Sequence, residues 1–284
     1  RPDFWWRFRS LMRERFPDQN LYFVGETFQN RQGIADFVGP NMLDAQFDFP
    51  LYDTIIPTFA FGSLGFEVLE DSLRASEQVY GRTVPMSPLL GNHDKSRFMA
   101  YADGDLPPPG TVDEEEVGWA EDLRVDDPAA YKKLKMAMTF LMTIDGVPMI
   151  YYGDEIGMTG AGDPDNRRMM RFGDDVSEPE AAVKAHFSRL AHERRDNRAL
   201  YLGSRRVLEA AGDRYAFVRS CAEDGALVVF NRGDEAAYFD LSVGPELQDG
   251  PLRDVLSGKK LEVREGSVTL TLEPMQSALF VPLP

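Results

Sequence analysis

The residues best able to do chemistry lie in three short runs. Pro88-Leu89-Leu90-Gly91-Asn92-His93-Asp94-Lys95-Ser96-Arg97 ends an apolar stretch in an amide, an imidazole and a carboxylate, each able to hold a sugar hydroxyl. Leu21-Tyr22-Phe23-Val24-Gly25-Glu26 precedes it, and Val147-Pro148-Met149-Ile150-Tyr151-Tyr152-Gly153-Asp154-Glu155 follows it. Each is an apolar run closing on a carboxylate. Barrel enzymes place their chemistry at the C-terminal ends of buried strands. Three such runs, separated by helical stretches, predict an active-site rim.

The intervening segments supply the elements that would position them. A helix is predicted over Arg1–Phe16, with Pro2 in its first turn and Phe4, Phe8, Leu11 and Met12 at helical spacing. Leu21–Val24 reads as a buried strand. Asp48–Phe59, aromatic and β-branched, reads as a strand with an irregular exit. Ser63 is the expected cap of a helix with a buried stripe of Phe66, Leu69, Leu73 and Tyr80, stopped by Gly81. Val84–Leu90 and Val147–Tyr152 are predicted strands, and Asp127-Pro128 opens a helix through Leu134, Met138 and Leu141. A further amphipathic helix is predicted over Val183–Asn197. This alternation is the mark of parallel βα units.

Beyond residue 201 the pattern changes. Tyr215–Arg219, Ala226–Phe230, Ala237–Leu241, Val268–Leu272 and Ser277–Pro282 are short β runs with no helix between them, which predicts a small antiparallel domain. The expected division is 1–200 and 201–284, with the boundary near Leu200–Ser204. The count of parallel strands is four. A closed barrel needs eight, and a four-strand arc leaves bare edges that natural sheets cover or pair. Either strands go unread, or the other half of the barrel lies outside these residues.

Composition narrows the partners. With 31 basic against 47 acidic side chains the net charge is −16, which repels nucleic acid and anionic membrane surfaces. No apolar run approaches the ~20 residues needed to span a bilayer. Cys221 is the lone cysteine, so no intrachain disulfide is available. His186 and His192 fall on one predicted helix, and no Cys or His spacing supports a metal site. No metal or cofactor is therefore expected in this chain. It begins at Arg1 without a charged-then-apolar leader, so a processed or truncated N-terminus is the expectation.

The runs Phe23-Val24-Gly25-Glu26, Gly91-Asn92-His93-Asp94 with Arg97, and Gly146 to Glu155 resemble the alpha-amylase family of glycoside hydrolases, in that family's order and spacing. Asp163-Pro164-Asp165-Asn166-Arg167-Arg168 resembles the segment after strand eight that reaches the sugar site in maltodextrin-acting members. The β region from 201 resembles the family's C-terminal sandwich. The fold class implied is α/β: the second half of a (β/α)8 TIM barrel, strands five to eight, followed by a small antiparallel β-sandwich. Two family motifs are absent from the chain: the Asp-x-x-x-Asn-His run of strand three, and the Gly-Phe-Arg-x-Asp run of strand four that carries the nucleophile. The opening helix resembles the one that follows strand four.

The resemblance implies roles for individual residues. Retaining glycosidases use two carboxylates, one as nucleophile and one as acid and then base. Glu26 would be the acid/base, with Phe23 and Phe28 beside it to disfavour its charge by burial. Asp94 would grip hydroxyls of the sugar being cleaved, with Asn92, His93 and Arg97 sharing the binding. Arg167 and Arg168 could reach a glucose unit further from the cut, or simply pair with Asp163 and Asp165. Tyr151 and Tyr152 could pack the barrel. Residues 103–127 carry ten acidic side chains and Trp119. That ring could stack on a sugar face, or the segment could be a mobile solvated loop.

The function implied is a retaining hydrolase of α-glucosidic bonds in starch or maltodextrin. The chain by itself would be inactive for want of the nucleophile and of the missing half of the barrel. A family transglycosylase or isomerase, or a non-catalytic glucan-binding relative, is the alternative. Calcium is left open for the complete enzyme, and a periplasmic or extracellular location is slightly favoured over a cytoplasmic one.

Overall fold

The computed structural model describes residues 2–222 and 224–283. Arg1, the first residue of the expected opening helix, lies outside them, as do Glu223 and Pro284. In chain order the first region contains α1 (Pro2–Arg15), β1 (Val24–Gly25), α2 (Arg31–Ala35), β2 (Ala45–Gln46), α3 (Phe49–Ile56), α4 (Phe66–Tyr80), α5 (Phe98–Asp103), α6 (Glu114–Ala120), α7 (Pro128–Thr143), α8 (Glu178–Asp196) and α9 (Arg198–Tyr201).

The parallel arc is present and follows sequence order. Val24 pairs with Ala45, Phe47 bridges to Ser87, and Leu89 bridges to Met149, all in parallel. The strands are shorter than expected, with Val84–Leu90 reduced to isolated bridges at Ser87 and Leu89 and Val147–Tyr152 to one at Met149. Val24 is exposed, and β1 is paired along one side only among the described residues.

Asp48–Phe59 is not a strand. It folds as α3, followed by a π-helical turn over Pro57–Phe61. Asp48 caps this helix by accepting from the Leu51 amide at 3.2 Å, and Pro50 sits in the first turn, where its missing N–H costs nothing. Phe49, Leu51, Tyr52, Ile55 and Ile56 are all buried. A helix apolar on nearly every side loses the 3.6-residue contrast and reads as a strand. Two smaller corrections concern helix starts. Gly65, not Ser63, precedes α4, and α8 starts at Glu178 on a capping box in which Ser177 and Glu180 satisfy each other's backbone amides.

The second region contains β3 (Ser204–Ala211), β4 (Arg214–Cys221), β5 (Asp224–Asn231), β6 (Ala237–Ser242), β7 (Gly250–Asp254), β8 (Lys260–Val263), β9 (Ser267–Leu272) and β10 (Gln276–Pro282). Six strands form one antiparallel sheet in the order β3-β4-β5-β10-β7-β8, and β6 pairs with β9 to face it. Alternation along the strands divides the sheet's two faces. Ala216, Val218, Leu227, Val229 and Phe280 pack toward Phe239 and Leu241 inside the sandwich. Tyr215, Phe217, Val228, Phe230 and Leu279 join the core of the helical region instead. The seam is aromatic: Phe66 stacks on Tyr215 at 5.3 Å between centroids, and Phe59 meets Phe230 at 6.2 Å.

His186 on α8 is buried at this seam. Its Nε2 lies 3.0 Å from both the Lys135 carbonyl and Thr139 Oγ1, and Ser277 Oγ on β10 donates to the same hydroxyl. Burial, opposed by the Lys135 carbonyl, lowers its pKa to about 4. The unfolded imidazole, near 6.5, takes up a proton first, so this site loses stability as pH falls from 6.5 toward 4. Urea unfolding at pH 7 and pH 4.5 is expected to show a stability drop of about 2–3 kcal/mol that is smaller in His186→Leu. Equal drops in the two proteins would remove His186 as the source.

Candidate active site

Glu26 directly follows β1, and Asn92-His93-Asp94 follows the bridged segment that ends in Leu89. Parallel neighbours put both exits at the same end of the arc, which is why residues 66 positions apart meet. Asn92 Nδ2 donates to Glu26 Oε1 at 3.0 Å. The Asn92 side chain is buried, and its Oδ1 accepts from the Asp94 amide at 2.9 Å. His93 Nε2 lies 3.4 Å from Asp94 Oδ1, and both side chains are about half exposed. One amide thus fixes a carboxylate on one strand exit and the turn bearing a second carboxylate on another.

Glu26 is exposed, so the burial expected from Phe23 and Phe28 is absent. Phe28 turns away and stacks on Phe49 at 4.1 Å, and the two rings with Tyr52 surround the Lys95 ammonium at 5.2–5.8 Å. The Glu26, His93 and Asp94 ligand atoms all lie within 4.8 Å of one another, close enough to share an ion. The Arg167 guanidinium, 3.4 Å from Asp94 Oδ1, adds positive charge at the same place and opposes a cation there.

Arg97 does something the sequence did not suggest. It is 2% exposed, and its guanidinium lies 4.0 Å over the Tyr151 ring and 4.8 Å over that of Tyr152. It donates to the Asn166 carbonyl at 2.8 Å, to the Tyr152 carbonyl at 2.6 Å and to Asp154 Oδ1 at 3.1 Å. Burial pushes Asp154 up to about 6 against the opposing pull of Arg97. Arg97 therefore ties the Asn92–Arg97 turn to the exit of the last parallel segment from behind. Tyr151 and Tyr152 serve as the plates that hold it.

Arg167 remains partly open. It donates to the His93 carbonyl at 3.1 Å and pairs with Asp163 at 3.0 Å as well as with Asp94. Arg168 is turned inward onto Asp165 at 2.7 Å and the Leu123 carbonyl at 2.7 Å. Residues 103–127 are no structureless loop: α6 is capped by Asp113 and sits on the 160–167 turn. A Cβ at Gly118 would lie 2.8 Å from Asp165 Cβ, so only glycine allows this approach. Trp119, the next residue, is 76% exposed. Glu114 binds α6 to the rim, accepting from Ser96 Oγ at 2.6 Å and the Tyr101 hydroxyl at 2.9 Å. Asp94, Lys95, Glu114, Glu115 and Asp163 line an open cleft between the rim and α6.

Residues 1–199 match the family model described as alpha amylase, catalytic domain, and residues 205–279 match that of the maltogenic amylase C-terminal domain. An amylopullulanase of Thermoanaerobacter thermohydrosulfuricus is 28% identical over 98% of this chain and 19% of its own length. Neopullulanase 2 of Thermoactinomyces vulgaris is 28% identical over 98% of this chain and 42% of its own length. The chain thus spans less than half of these curated relatives. The crystal structure of an alpha-amylase from Geobacillus thermoleovorans, complexed with acarbose, superposes with a TM-score of 0.80 at 24% identity, covering 99% of this chain and 57% of that one.

Proposed function

The chain belongs to the alpha-amylase family of glycoside hydrolases, and on that premise we propose that it forms the acid/base half of a site that cleaves α-glucosidic bonds of starch or maltodextrin with retention. The convergence of Glu26, Asn92, His93 and Asp94 at one end of the parallel arc carries this reading. Glu26 protonates the departing glycosidic oxygen, then deprotonates the incoming water. His93 and Asp94 hold hydroxyls of the reacting sugar, and these contacts tighten as the ring flattens toward an oxocarbenium ion. Arg167 and the exposed Trp119 ring extend the site toward more distant glucose units, supported for Arg167 by its contact with Asp94 and for Trp119 by its exposure. Arg97 and Arg168 work from behind, as struts.

The chemistry needs a nucleophile that these 284 residues do not supply, since Gly-Phe-Arg-x-Asp is absent. The chain alone is therefore expected to release no reducing sugar from maltoheptaose. Turnover by the purified chain would overturn that dependence. Joined behind a half-barrel that carries the Gly-Phe-Arg-x-Asp strand, it is expected to hydrolyse the same substrate. A folded but inert product would defeat the glycosidase reading.

A further inference from the structure

We propose that Asn166 is a positioning residue that fixes His93 and Asp94 in working orientation; the proposal rests on the glycosidase reading for what the pair does, not for how it is held. Asn166 is fully buried, at 0% exposure, on the turn that α6 covers. Its Nδ2 donates to the His93 carbonyl at 2.9 Å and to the Lys95 carbonyl at 3.0 Å. These carbonyls flank Asp94, so one planar amide pins the backbone on both sides of the residue whose side chain must be aimed. An amide presents two N–H donors in a rigid fork, a geometry that Ser, Thr and Asp lack.

The turn that carries Asn166 is itself held in register. Its carbonyl accepts from Arg97 Nε at 2.8 Å, and the Arg97 amide donates to the Gly160 carbonyl at 2.9 Å. A Cβ at Gly160 would lie 2.6 Å from the Asp165 carbonyl oxygen and 3.0 Å from Asn166 Cα, so the seat closes on Asn166 only because that position is glycine. Arg167, the next residue, adds its own bond to the His93 carbonyl. Asn166 Oδ1, by contrast, is buried and meets no donor among the described residues. A buried acceptor left without a partner lowers stability, and a leucine of similar size would avoid the loss. The amide is explained by what its donors hold.

The chain has three histidines, and they make the test internal. His93 is at the rim, His186 is buried at the seam between the two regions, and His192 lies on α8 with Nδ1 2.7 Å from the Ser188 carbonyl. Carbon-13 histidine labelling of the 284-residue chain is expected to show the His93 ring signal shifted and broadened in both Asn166→Asp and Asn166→Ser, with the His186 and His192 signals unmoved. Should Asn166→Asp fail to fold, Asn166→Ser, which keeps one donor, carries the same reading. A His93 signal unchanged in a folded variant would overturn the proposal. So would displacement of all three signals together, which marks a residue that only stabilises the fold. Neither outcome depends on glucan cleavage, so failure here and failure of the glycosidase reading are told apart.

Discussion

Exchanging Glu26 for Gln in the completed barrel is expected to lower turnover of maltooligosaccharides by about 10²–10⁴-fold, the share that a positioned general acid supplies. Gln keeps the oxygen that accepts from Asn92 at 3.0 Å, so the Asn92–Asp94 turn stays anchored. Glu26 is exposed and makes no ion pair among the described residues, so little stability is at stake. The melting temperature should therefore hold while kcat falls. The loss in kcat/KM, which reports the first step alone, should shrink on an activated aryl glycoside, whose leaving group departs without a proton. An unchanged rate on maltoheptaose would take Glu26 out of the role, and an equal loss on both substrates would point to a binding defect instead.

Removing the Arg205 guanidinium is expected to destabilise the protein by about 3 kcal/mol, because it takes the buried cation from Glu70 and leaves that carboxylate only the largely exposed Arg74, 2.9 Å away. Arg205 on β3 is 3% exposed and pairs with Glu70 of α4, itself 4% exposed. A second bond reaches Glu77 at 2.8 Å, and the Tyr215 hydroxyl donates to the same Glu70 carboxylate at 2.7 Å. These contacts join the sheet to a helix of the parallel arc. Urea unfolding of Arg205→Met should show the full loss. The double variant Arg205→Met with Glu70→Leu should recover much of it, since no charge is then stranded. If Arg205→Met alone costs under about 1 kcal/mol, the pair behaves like an exposed one.

Much of the architecture was legible because it rests on local signals. The parallel arc follows from apolar runs alternating with helical periodicity, and the antiparallel region from short β runs divided by turns. Four strands went unread, among them the two-residue β2 (Ala45–Gln46), too short to show an alternation. Ser204–Ala211, Gly250–Asp254 and Lys260–Val263 carry Arg205, Arg206, Arg253, Lys260 and Glu262, and β3 and β8 are the outer strands of the sheet, where charge is common. Asp48–Phe59 failed for the opposite reason, since apolar residues on nearly every side of α3 blurred the helical stripe.

The meeting of Glu26, Asn92, His93 and Asp94 was readable, because each closes an apolar run and parallel strands bring such ends together. The supporting shell was not. Whether Arg97 faces a sugar or a buried carboxylate depends on Asp154, 57 residues away, and on two tyrosine rings. Asn166 carries no signal in its own type. Its part is visible only once the carbonyls of His93 and Lys95 are known to converge on it.

The aromatic seam bears on how such proteins can be recombined. Phe59, Phe66 and Phe140 of the first region and Tyr215, Phe217 and Phe230 of the second belong to one core, although the connecting chain runs through the short stretch between Tyr201 and Ser204. The linker is thus the simplest place to cut a gene and a poor place to divide the protein. A graft exchanging the terminal β module between relatives must carry over the face of β4, β5 and β10 as a matched surface, along with the Arg205 partners on α4. Shuffling at that junction inherits a packing problem that sequence identity at the crossover does not report.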